Sequence, residues 1–110
     1  QKKAIFLQQA RIELNLKNIE VIAGRVENFS PRQMFDTVVS RAFSGLADYV
    51  QQAGHLCKEA YKGGIIVAMK GKNPRGELAQ IPEQFVIKKI SSVIVPGLGA
   101  ERHLVFINRN

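Results

Sequence analysis

Arg41 follows the apolar run Val38-Val39-Ser40, and Lys70 follows Ile65-Ile66-Val67-Ala68-Met69. A guanidinium at the end of an apolar strand is a poor core residue and does not stay buried unpaired. It suits a carboxylate or a phosphate, held by charge-assisted hydrogen bonds. The alternative for Arg41 is a structural salt bridge with Asp48 or Glu101. Lys70 leads into Gly71, Lys72 and Arg75, a basic loop suited to phosphates, with affinity but no choice of sequence. Solvated loop charge is the alternative there. Arg102 and His103 open the last strand, Arg102 as a further RNA contact and His103 as a hydrogen-bonded structural histidine; His55 is expected at the surface. Val26 and Glu27 lie just past an expected strand at 19–23. In an open α/β sheet, ligands bind at the carboxyl ends of strands. There Glu27 can accept from the exocyclic amine of adenine while Val26 packs on the ring. The alternative is an exposed acid beside a core valine.

Other chemistries find no support. Two isolated histidines and one cysteine lack metal-ligand spacing. Cys57 falls at helical spacing among packing residues, which argues against a nucleophile. Gly71 to Gly76 has the glycine spacing of a phosphate loop, but Glu77 and Leu78 stand where Lys and Ser/Thr are required.

The balance of charge agrees with an anionic partner. The 110 residues carry a net charge of +7, which favours nucleic acid first and an acidic membrane surface second. A solvated basic face is the alternative. Hydrophobic residues at 45% and charged residues at 23% describe one ordinary globular domain. No apolar run approaches the roughly 20 residues of a membrane helix. The start, Gln1-Lys2-Lys3-Ala4-Ile5-Phe6, does not read as a signal peptide. A single cysteine excludes an internal disulfide and suits a reduced, cytoplasmic setting.

These residues need elements to carry them. Residues 2–16 read as a helix with a wide buried face formed by Ile5, Ile12, Leu16, Phe6, Ala10 and Leu14. A strand is expected at 19–23, a helical turn at 25–29 and a second strand at 35–40. A helix at 45–59 places Leu46, Tyr49, Val50, Ala53, Leu56 and Cys57 on one face. The apolar run 65–69 suits a central strand covered on both faces. A short helix near 77–81 follows the polar loop. Residues 85–95 and 103–108 form an antiparallel hairpin around Pro96-Gly97-Leu98-Gly99. Strand–helix alternation predicts a mainly parallel, doubly wound sheet. The terminal hairpin narrows this toward the methyltransferase variant of the Rossmann fold.

Four segments carry a more specific signal: Arg25-Val26-Glu27-Asn28-Phe29, then 35–43 from Phe35 through Ser40-Arg41 to Phe43, then Ala68-Met69-Lys70-Gly71, and Gly99 to Val105 after Val95-Pro96. In order and at compatible spacings, they resemble the ribosomal RNA small-subunit methyltransferase G family, also called glucose-inhibited division protein B. The resemblance covers essentially the whole chain. It implies an α/β class I S-adenosylmethionine-dependent methyltransferase fold, of which residues 1–110 form the C-terminal part of one domain. The implied reaction is methyl transfer from S-adenosyl-L-methionine to N7 of a guanine in 16S ribosomal RNA. It implies Val26 and Glu27 against the cofactor's adenine and Arg41 as a cofactor contact.

The family also carries a glycine-rich loop and a further strand, both expected upstream of residue 2, together with N-terminal helices. This chain alone is therefore expected to be inactive, marginally folded and prone to associate through unpaired strand edges. The reaction asks little of side chains. Guanine N7 has a free lone pair, so no general base is needed, and catalysis rests on alignment and exclusion of water. A non-enzymatic basic RNA-binding module is the competing function, and a Rossmann-type nucleotide binder a third.

Overall fold

The computed structural model describes residues 2–41 and 45–110. Helix α1 spans Lys2–Glu13 and helix α2 spans Leu46–Ala53. The strands are β1, Thr37–Arg41; β2, Ile65–Lys70; β3, Phe85–Ser92; and β4, His103–Arg109. Short 3-10 segments lie at Val26–Asn28, Gly54–Leu56, Ala60–Lys62 and Arg75–Gln80.

The four strands form one sheet in the order β1-β2-β4-β3. β1 runs parallel to β2, with Arg41 opposite Met69. β4 is antiparallel to both β2 and β3. The expected mainly parallel sheet is thus a mixed one, because β4 returns between β2 and β3. This is an α/β fold, with the expected antiparallel terminal hairpin in place.

Alternation along the strands builds the core on one face. Ile66 and Ala68 of β2, Val105 and Ile107 of β4, and Phe85 of β3 are buried there. Against them pack Leu46, Tyr49, Val50 and Ala53 of α2, with Leu56 and Cys57 following. All six expected apolar positions of this segment are buried. The helix ends earlier than expected, at Ala53, and a 3-10 turn carries the chain on. Gly54 permits this close packing: a Cβ there would lie 2.3 Å from the Phe85 ring. Cys57 then leaves the helical path to bridge Phe35, ahead of β1.

The opposite face is open, against the expectation of a strand covered on both sides. Val39 is 52% exposed and Met69 44%. Two further expectations fail. Residues 19–23 form no strand, since no neighbouring strand among the described residues accepts their hydrogen bonds. The apolar face of α1 is not buried either. The helix buries no residue, and Phe6 is 70% exposed. It stops at Glu13, three residues early, with Asn15 at a positive φ of 54°. β3 also ends at Ser92 rather than 95, where its partner β4 begins at His103.

Candidate functional site

β1 and β2 end side by side, and their last residues carry the charge. Arg41 closes β1 and Lys70 closes β2. A cleft of about 450 Å³ opens at this end, with Arg41, Lys70, Arg102 and His103 around apolar Met69 and Leu104. Three cationic residues singled out from sequence therefore share one cleft at the carboxyl ends of parallel strands.

Each is held differently. Arg41 is exposed, and no salt bridge among the described residues joins it to Glu101, one of the expected alternatives. Arg102 is exposed and donates to the Glu101 carbonyl at 2.7 Å. His103 is buried, and its Nδ1 lies 2.9 Å from the Gly71 carbonyl. A carbonyl can only accept, so Nδ1 carries the proton. This is the structural histidine the sequence suggested, and it ties the first residue of β4 to the loop after β2.

Lys70 is not a free loop charge. Its Nζ stands 3.2 Å from Glu77 Oε2, with Lys70 only 17% exposed. Glu77 Oε1 accepts from the backbone N–H of Leu46 at 2.8 Å, the first residue of α2. Sequence reasoning missed Glu77, which it met only as a misfit to a phosphate loop. Lys72 and Arg75 are exposed on the loop but do not line the cleft.

Val26 and Glu27, expected beside an adenine, sit apart from this cleft. Val26 lines a second opening of about 730 Å³, with Asn18, Ile22, Gly24, Phe29 and Phe35. Val26 also packs against the core. Glu27 does not line it; its carboxylate lies 3.8 Å from Arg25 in an exposed contact. The first cleft thus unites Arg41, Lys70 and Arg102, and Val26 and Glu27 lie outside it. His55 differs from its expected surface position: it is half-buried and bonds the Phe29 carbonyl at 2.8 Å, anchoring the 26–29 turn.

Two buried ionisable groups lie in the core. The Tyr49 hydroxyl donates to the Val67 carbonyl at 2.9 Å and reaches the Val38 carbonyl at 3.2 Å, tying α2 to both parallel strands. Burial pushes its pKa up, helped by the nearby Cys57. Burial also raises the Cys57 thiol, partly opposed by the Arg109 guanidinium. Neither is an activated nucleophile. Among the described residues, no group of histidine, cysteine and acidic side chains could hold a metal ion.

Comparison with known proteins places the chain. The family described as rRNA small subunit methyltransferase G matches residues 1–105. The "Ribosomal RNA small subunit methyltransferase G" of Nitrosospira multiformis is 54% identical, over 98% of this chain and 52% of its own length. The protein of the same name from Aromatoleum aromaticum is 50% identical, over 99% of this chain and 50% of its own. That from Neisseria meningitidis serogroup C is 48% identical, over 98% and 50%. The chain spans about half the length of the curated relatives it matches. With a family match over residues 1–105 and relatives about 50% identical along nearly the whole chain, this chain belongs to the rRNA small subunit methyltransferase G family.

Proposed function

We propose that these 110 residues form the C-terminal part of one methyltransferase domain, which transfers a methyl group from S-adenosyl-L-methionine to N7 of a guanine in 16S ribosomal RNA. The observation that carries this reading is the cleft uniting Arg41, Lys70 and Arg102 where β1 and β2 end.

The residues fit the cosubstrate in part. Arg41 is a guanidinium at the cleft without a carboxylate of its own among the described residues. It suits the carboxylate of the methionine moiety. Val26 offers an apolar side chain in an open hollow, and Glu27 offers an exposed acceptor for the adenine amine. When bound, S-adenosyl-L-methionine supplies an electrophilic methyl group. Lys70, Lys72, Arg75 and Arg102 hold the RNA by its phosphates. They position N7 rather than activate it, since its lone pair needs no base. The place of action is the cytoplasm.

Activity is proposed for a chain of the relatives' length, with these 110 residues alone inactive. The test is a chimera in which they replace the matching stretch of the Nitrosospira multiformis relative. Labelled methyl transfer onto small ribosomal subunits, with N7-methylguanine recovered on digestion, is the expected result. RNA binding with neither transfer nor cosubstrate binding would overturn the reading in favour of a non-enzymatic RNA-binding module.

A further inference from the structure

Glu77 joins parts of the fold that lie far apart in the chain. Its Oε1 accepts from the Leu46 N–H at 2.8 Å, and its Oε2 lies 3.2 Å from Lys70 Nζ. Oε1 also stands 3.5 Å from the same ammonium. Gly45, just before α2, lies beside this carboxylate: a Cβ there would meet Oε1 at 3.4 Å, an ordinary contact distance. Glu77 belongs to the 3-10 segment Arg75–Gln80, which closes the loop carrying Lys72. One carboxylate therefore fastens the end of β2, the start of α2 and the far end of the basic loop. The two side chains are 17% and 30% exposed, so solvent screens them less than a surface pair.

An ammonium has three donors. One serves Glu77, which leaves donors for an incoming anion. An unpinned lysine is a point charge on a flexible four-carbon stem. A pinned one has given up that freedom before its ligand arrives, and such preorganisation acts on the reacting geometry as well as on binding.

We propose that Glu77 is a positioning residue of the transfer reaction, acting through Lys70: it holds the ammonium at the cleft wall in the place from which Lys70 meets an RNA phosphate. This rests on the function proposed above. Glu77→Gln keeps an acceptor for the Leu46 N–H and removes the charge that holds Lys70. In the chimera, kcat should fall by between about 10- and 100-fold. KM for the small subunit should not rise, because removing an acid near phosphate leaves the attraction at least as strong. Once Lys70→Ala is present, Glu77→Gln should add no further loss. A purely structural role predicts additive losses instead, with kcat falling further when Glu77→Gln is added to Lys70→Ala, and that outcome overturns the proposal. The nitrogen-15 resonance of the Lys70 ammonium gives a readout independent of activity. It should be protected from exchange in the unmutated chimera and lost in Glu77→Gln. Its absence from the unmutated protein refutes the pinning whatever the kinetics show. Failure of the unmutated chimera to transfer methyl groups instead sinks the proposed function, and the resonance then still decides whether Glu77 holds Lys70.

Discussion

Arg41 brings to the cleft a charge that no acid among the described residues neutralises. If it grips the cosubstrate's carboxylate, Arg41→Ala in the chimera removes a charge-assisted hydrogen bond. Affinity for S-adenosyl-L-methionine should drop by about 10- to 100-fold. Calorimetry returning an unchanged affinity would remove Arg41 from the site. A second residue-scale expectation concerns Gly64. A Cβ there would stand 1.9 Å from the Lys58 carbonyl oxygen, a backbone atom that cannot step aside. Gly64→Ala should cost about 3 kcal/mol or more, and a thermal melt within a degree or two of the parent would contradict it. What could be read at this scale was the charge at strand ends: Arg41 and Lys70 were visible because each follows an apolar run, and Arg102 because it opens the last strand. Glu77 was not visible. Its partner Leu46 is 31 positions away, and only the fold brings the two together.

At the scale of elements, the two edges of the sheet are protected unequally. β3 carries exposed Lys88 and Lys89 and a register irregularity between Ile87 and Lys89. Lysines and bulges are common devices against edge-to-edge pairing. β1 has neither, and Val39 beside its free edge is half exposed. The 110-residue chain should therefore self-associate through β1. Sedimentation should show association that weakens in Val39→Lys, and a concentration-independent monomer would refute this. α1 should be the least protected element in hydrogen exchange. It has 12 residues and buries none, and isolated helices of that length are marginal in water. Protection in α1 matching that of β2 would contradict this. The same physics explains which elements could be read from the sequence. The runs at β1, β2 and the hairpin are strands because each has a neighbour. Residues 19–23 have the composition of a strand but no partner in the described structure. Apolar residues at helical spacing in α1 do not say what covers them.

For the whole molecule, the core holds two ionisable groups that stay protonated when folded, Tyr49 and Cys57. Both have pKa values raised above those of the unfolded chain. As pH rises, the unfolded state loses its protons first. Stability is therefore full below the ordinary thiol value of about 8.5 and falls as pH climbs through the ordinary tyrosine value of about 10. Urea midpoints at about pH 7 and about pH 10 should differ in that direction, and Cys57→Ala with Tyr49→Phe should flatten the difference. A midpoint higher at alkaline pH would contradict the assignment. The order β1-β2-β4-β3 carries one more consequence, for how the molecule is made. β4 follows the other three strands in the chain yet lies between β2 and β3. A ribosome releases β2 and β3 well before the strand that joins them. Until residues 103–109 emerge, β3 has no strand beside it and β2 lacks one of its two neighbours. The nascent domain must then wait, half assembled and with apolar edges exposed, for its seven-residue keystone.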